Sequence, residues 1–249
     1  ELRSKYRRSF LGWGWSLLNP LSNMLIYTFV FGVVFGATAP IGKPSGLNVY
    51  ALYLLCGILP WGFFSQVTNL GMNALLSNAS LVRKVAFARE TLVISQVIFC
   101  FVQWSIEMTL LAVALIIAGS PIIPWLPVTI LLMVCLAVYA AGFALALSAA
   151  AVFFRDLRYL WSILVQVMFF ATPIIYTPDR LEGKLPAAID FILTWNPMAV
   201  FILTFRHMLY GGAAPNWGEM LYVVVVSIAV FIAGWAIFSR LSRRVAEEL

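Results

Sequence analysis

Long apolar stretches alternate with short polar connections along the whole chain, at roughly 20–38, 49–72, 91–119, 123–153, 159–176 and 218–239. A helix needs about 20 predominantly apolar residues to cross a bilayer, so these stretches predict six transmembrane helices. No internal repeat or low-complexity linker interrupts them, and residues 1–249 read as a single all-α transmembrane domain. Asn19-Pro20 marks the start of the first span, with asparagine as N-cap and proline at the first helical position. Pro60 and Pro173 are expected to kink or break their spans, because proline lacks a backbone donor.

Three segments depart from the spanning pattern. In residues 1–19, at about 100° per residue, Leu2, Tyr6, Phe10, Trp13 and Leu17 fall on one stripe. Lys5, Arg7 and Arg8 point away from it and Arg3 sits on its flank. This predicts an amphipathic helix lying in the membrane interface, set apart from the first span by Gly12, Gly14 and the Asn19-Pro20 break. Leu11, Trp15 and Leu18 form a second apolar strip on its back, where a protein surface is the expected cover. Residues 73–90 (NALLSNASLVRKVAFARE) are too long for a simple turn. Residues 177–217 are half apolar, but the runs Phe191 to Thr194 and Met198 to Leu209 are too short to cross. Short re-entrant or interfacial helices are expected before the last span, with a folded external cap as the alternative.

Composition agrees with the pattern. Hydrophobic residues make up 63% and charged residues 10% of the chain, and the mean hydropathy is +0.96. Soluble domains carry about 25% charged residues, so this is an integral membrane protein. A net charge of +6 without a dense basic run or basic helix face argues against nucleic acid, and points to membrane orientation instead. Arg3, Lys5, Arg7, Arg8, Arg83, Lys84, Arg89, Arg155, Arg158, Arg240, Arg243 and Arg244 belong to one side of the six-span pattern. Lys43, Arg180, Lys184 and Arg206 belong to the other, which places both termini in the cytoplasm.

Basic residues, an apolar run and Ala37-Thr38-Ala39 imitate a signal peptide, but Pro40 follows the apparent cleavage site and further spans lie downstream. An uncleaved first span is the better reading. The chain begins at Glu1, so a natural start and a cytosolic tail are expected before it. Cys56, Cys100 and Cys135 sit inside apolar runs without a CxxC pair, and read as small core hydrophobes.

Catalytic constellations are absent. His207 is the single histidine, which excludes most triads and histidine metal sites. Asp179 and Glu182 are expected to be solvated in an external loop. Gly36 to Ser45 (GATAPIGKPS) has the outline of a phosphate-binding loop, but Ala37 and Pro44 stand where glycine and Ser/Thr are required. The chain is therefore expected to bind no nucleotide, cofactor or metal of its own.

Polar residues inside spans carry more information. Gln96, Gln103 and Glu107 share a face of the third span, and Glu107 is the one carboxylate deep in any span. Gly62, Gln66, Asn69 and Asn73 align on the second. Both stripes fit either a substrate pathway or hydrogen bonding between packed helices, and Asn73 also fits emergence into the cytoplasm. No ladder of acids or gating cations supports a proton pump or voltage sensor. Tyr27, Phe31 and Phe35 recur every fourth residue on the first span, while Phe169 and Phe170 precede Pro173. Packing is the default for such aromatics, and stacking on sugar rings along a carbohydrate conduit is the functional alternative.

Several motifs follow one another in a recognisable order. They are Tyr6-Arg7-Arg8-Ser9-Phe10-Leu11-Gly12 with Trp15 and Leu18-Asn19-Pro20, then Leu81 to Glu90, then Phe154-Arg155-Asp156-Leu157. Ala171-Thr172-Pro173-Ile174-Ile175-Tyr176 and Asn196-Pro197 with Arg206 complete the set. Together they resemble the transmembrane subunits of bacterial polysaccharide ABC exporters, the O-antigen, teichoic acid and lipid-linked galactan transporters. Ala88 departs from that family's proline before Arg-Glu.

The resemblance implies a homodimer in the bacterial inner membrane with a pore at its interface. It also implies two separate ATPase subunits that bind ATP and Mg, and a lipid-diphosphate-linked polysaccharide as substrate. Ser80, Leu81, Arg83, Lys84, Phe87, Arg89 and Glu90 would form the coupling helix that docks on the ATPase. The interfacial helix, through Tyr6, Arg7, Arg8, Phe10, Trp13 and Trp15, would touch membrane lipids and ATPase together. Arg7 and Arg8 would attract the lipid diphosphate, unless they serve only positive-inside anchoring. Residues 177–217 would gate the external mouth, and Tyr27, Phe31, Phe35, Gln96, Gln103, Glu107, Phe169 and Tyr176 are candidate channel-lining residues. The rival readings are an ABC exporter of drugs or small lipids, and a membrane-embedded glycan-processing enzyme, for which no acidic metal motif or catalytic base is present.

Overall fold

The computed structural model describes residues 39–84, 87–176 and 195–248, together with isolated positions from Leu18 to Gly36; the side chains of Arg83 and of residues 243–248 are not included. The expected interfacial helix, including Tyr6, Arg7, Arg8, Phe10, Trp13 and Trp15, lies outside the described residues, as do Tyr27, Phe31 and Phe35. Most of the expected first span and residues 177–194 lie outside them too.

Among the described residues every regular element is helical and none is a strand. In chain order they are α1 (Tyr50–Ser77), α2 (Ala79–Lys84), α3 (Glu90–Ile117), α4 (Leu126–Phe153, entered through a 3-10 turn at Ile123–Trp125), α5 (Leu157–Ala171), α6 (Pro197–Phe205), a π-helical turn (Arg206–Tyr210) and α7 (Trp217–Glu248). Four helices among the described residues are long and apolar enough to cross a membrane: Tyr50–Ser77, Glu90–Ile117, Ile123–Phe153 and Trp217–Ser242. The bundle has a basic end, carrying Lys84, Arg89, Arg155, Arg158 and Arg240, and a far end, carrying Pro40–Val49, Ser120–Trp125 and Arg206.

Three sequence expectations change in detail. α1 does not break at Pro60, which is buried within it; packing on both flanks carries the helix past the missing donor. α1 also runs to Ser77, so residues 73–77 extend the span and the connection proper begins at Asn78. The fifth expected span, 159–176, is helical only to Ala171. Its 15 residues reach about 22 Å, short of a hydrocarbon core of about 30 Å. Pro173 does end this helix, by disfavouring helical geometry in the residue before it.

Small residues set the centre of the bundle. A Cβ on Gly71 of α1 would lie 2.5 Å from the Ala144 Cβ of α4. A Cβ on Gly234 of α7 would lie 2.0 Å from the Gly142 carbonyl oxygen of α4. Backbones approach this closely only where no side chain intervenes, the usual means by which helices associate in lipid. Aromatics fill the layer beside α4. Phe63 stacks on Trp104 at 4.3 Å and Trp104 meets Phe205 edge-on at 6.0 Å, which joins α1, α3 and α6.

α6 and its π turn do not cross the bundle. Asn196 caps α6 by accepting the Met198 N–H at 3.0 Å and donates to Thr172 at 3.0 Å, at the far end. The π turn remains at that end, where Ser120 donates to Leu209 O at 2.7 Å and Trp125 donates to Gly212 O at 3.1 Å. The run from Met198 to Leu209 thus starts and finishes towards the same end of the bundle.

Candidate functional site

Two stripes of every-fourth-residue spacing face each other across a side groove. Trp61, Ser65 and Asn69 come from α1, and Ser162, Gln166, Phe169 and Phe170 come from α5. They enclose about 440 Å³ together with Val165. Trp61 and Phe169 meet edge-on at 5.8 Å, and Phe169 meets Phe170 edge-on at 5.4 Å. Asn69 donates to Ser65 O, one turn earlier, at 2.8 Å, and Asn73 repeats this onto Asn69 O at 2.8 Å. The donors are satisfied on their own helix, which leaves the Asn69 amide oxygen as an acceptor on the groove wall. Rings beside hydroxyl and amide groups, with no charge, can hold a ligand that is apolar on one face and hydroxylated on its edge.

At the far end, Arg206 is only 5% exposed. Its Nε donates to Tyr53 O at 3.2 Å, while Nη1 and Nη2 donate to Pro173 O and Ile174 O. Its Cζ lies 3.9 Å over the Tyr53 ring, and Gly57 leaves the room, since a Cβ there would come within 2.8 Å of Nη2. These partners are carbonyls and a π face rather than a carboxylate. Burial draws this guanidinium below its ordinary range, opposed by Tyr53, and it stays charged at physiological pH. One π turn later, the Tyr210 hydroxyl lies 2.9 Å from Leu47 O and 3.1 Å from Pro40 O and accepts from Val49 N–H at 3.2 Å. Burial raises the Tyr210 phenol above its usual range, so it remains a neutral donor. Arg206, His207 and Glu219 border an open far-end cleft of about 750 Å³.

At the basic end, the first turn of α2 is closed by Leu81 and Val82, which both donate to Asn78 O at 3.0 Å. Ser80, Leu81 and Lys84 are exposed, whereas Val82 is buried and Phe87 packs back on the core. Arg89 donates to Ser242 O of α7, and Glu90 opens α3.

A family model described as ABC-2 type transporter matches residues 1–210. The chain belongs to that family. This ABC-2 chain is similar over its full length to the O-antigen export system permease protein RfbA of Klebsiella pneumoniae, at 28% identity across 92% of that protein. RfbA of Myxococcus xanthus is likewise 28% identical, covering all of this chain and 92% of its own. The polysialic acid transport protein KpsM of Escherichia coli is 21% identical over 96% of this chain and 89% of that one.

Within the ABC-2 chain the predicted lining residues separate. Phe169 lies in the groove, and Tyr176 folds beside it, its hydroxyl 3.1 Å from Phe170 O. Gln96, Gln103 and Glu107 do not line either described cleft; they sit half-buried on α3, where Gln103 donates to Glu107 within the same helix. The sequence reading missed Trp61, Ser65 and Gln166 in the groove, although their four-residue spacing was available. It also counted Arg206 as an external cation and as part of a family motif, without a structural role for it. A cation between Phe205 and Met208, inside an apolar run, was the signal that could have singled it out.

Proposed function

We propose that this chain is the channel-forming permease subunit of an ATP-driven exporter that moves lipid-linked polysaccharide across the bacterial inner membrane, with both termini in the cytoplasm. The relatives named above support the substrate class. The observation that carries the reading is the uncharged groove between α1 and α5. Amides and hydroxyls turned toward lipid would be costly, whereas a hydrated path for sugars uses them directly. Sugar C–H faces stack on Trp61, Phe169 and Phe170 while ring hydroxyls bond Asn69 and Gln166.

α5 completes the argument for two copies. It buries only Trp161 and Val165 in this chain, and its exposed side mixes Leu160, Ile163 and Val167 with Ser162 and Gln166. A second copy closing over that mixed face converts the side groove into an enclosed channel. ATP and Mg bind a separate ATPase, two of which dock beneath the dimer. Ser80, Leu81 and Lys84 on α2 provide exposed apolar and basic contacts for that partner.

Depletion of the chain in its host is expected to trap lipid-linked glycan on the cytoplasmic face. Phe169→Ala combined with Asn69→Leu should lower export about tenfold, the equivalent of ~1.4 kcal/mol, without lowering basal ATP hydrolysis. Absence of trapped glycan after depletion, or failure of the purified chain to associate with any ATP-binding-cassette subunit, refutes the proposal.

A further inference from the structure

α5 is the least secured wall of the groove along its length, so its position depends on how its ends are held. After Ala171 the chain leaves the helix and runs as a strap through Thr172, Pro173, Ile174 and Ile175. Each strap contact at the far end uses the strap's backbone or a short side chain. Arg206 donates to the carbonyls of Pro173 and Ile174, Tyr50 donates to Ile175 O at 2.7 Å, and Asn196 donates to the Thr172 hydroxyl at 3.0 Å. Arg206 also holds α1 through Tyr53 O and the Tyr53 ring. One guanidinium therefore ties the π turn to α1, one wall of the groove, and to the strap that continues α5, the other.

We infer that Arg206 is a positioning residue for transport: it clamps the strap that carries the end of α5 and so keeps the far end of the groove closed at rest. The inference rests on the exporter reading for its transport role, though the clamp itself is a property of this chain. Guanidinium geometry suits it, because a planar fork can serve several carbonyls while its face stays on the tyrosine ring. Lysine cannot reproduce that set. A cation held by carbonyl dipoles and a ring, rather than by a carboxylate, is released when those carbonyls are displaced together, since each bond holds only over a short range of distance and angle. Gly57 fits the same purpose, because any side chain there would push against the guanidinium.

The test uses the full chain in proteoliposomes with an entrapped small sugar, measured without ATP, alongside ATP-driven export by the chain with its ATPase. Arg206→Gln and Arg206→Lys are expected to raise passive sugar leak at least about tenfold over wild type, as loss of several charge-assisted bonds moves the closed–open balance. Gly57→Ala, which keeps the charge but displaces it, should leak as well. Lys43→Gln, which removes a neighbouring cation of the same cleft, should not. Unchanged leak in the Arg206 variants overturns the clamp. Failure of both Arg206→Gln and Gly57→Ala to accumulate as folded protein overturns the positioning role and leaves Arg206 a folding residue. Arg206-dependent leak with no glycan export by the wild type sustains the clamp and refutes the exporter reading instead.

Discussion

The crossing of α4 and α7 allows a sharp stability test. A Cβ placed on Gly234 lies 2.0 Å from the oxygen, 2.6 Å from the carbon and 2.8 Å from the Cα of Gly142. All three atoms are backbone, so no rotamer change relieves the contact. To reach ordinary separation the helices must move apart by about 1 Å, and a gap of that size forfeits a quarter to a half of each dispersion contact along the seam. Overpacking usually costs about 1–3 kcal/mol, and in lipid there is little hydrophobic force between helices to offset it, so Gly234→Ala should cost ~3 kcal/mol. For a chain of this size that lowers the melting temperature by roughly 6–12 °C. Gly62 is the paired control, because its added Cβ meets nothing within 4 Å. Gly62→Ala should be neutral or stabilising by up to about 1 kcal/mol through helix propensity alone. Thermal unfolding of the purified variants in detergent, followed by circular dichroism, makes the comparison. Similar melting temperatures for the two variants would refute the close approach.

Leu81→Asp and Lys84→Glu on α2 should weaken ATPase association about tenfold or more while leaving thermal stability unchanged, because both side chains are exposed; pull-down and melting curves separate the two effects. Ser120→Ala should cost about 1–3 kcal/mol, since it leaves the buried Leu209 carbonyl without the hydroxyl that reaches it at 2.7 Å; a melting temperature equal to wild type would count against this staple.

The spans of α1, α3, α4 and α7 were legible because length and apolarity suffice to recognise them, and their observed limits fall within a few residues of the expected ones, apart from the extension of α1 and the run of α7 to Glu248. α5 was legible only as an apolar stretch. Residues 172–176 are as apolar as a helix end, and what stops the helix is the backbone restriction before Pro173, not a change in hydropathy. In the groove, the expected stripe of Gly62, Gln66, Asn69 and Asn73 overlaps the observed one at Asn69 alone. Periodicity gives the spacing of a face, but a neighbour decides which of two adjacent faces is covered. Arg206 was hidden for a different reason. Its partners are backbone carbonyls from distant segments, and carbonyls are present at every residue, so no side-chain pattern announces them. Glu107 showed the converse: a conspicuous carboxylate that accepts a bond from Gln103, one turn away on its own helix.

The polar side chains of α1 bear on how the protein enters the membrane. Thr68, Asn69, Asn73 and Ser77 each donate to a carbonyl one turn earlier on the same helix. A donor without a partner costs several kcal/mol in hydrocarbon, and a helix that waits for a neighbour to satisfy it is liable to be retained or misplaced during synthesis. Here donor and acceptor leave the ribosome together. α1 is therefore competent to partition into lipid as a lone segment, before α3 or α4 exists, and its amide oxygens come to line a groove only once the later helices have gathered around it.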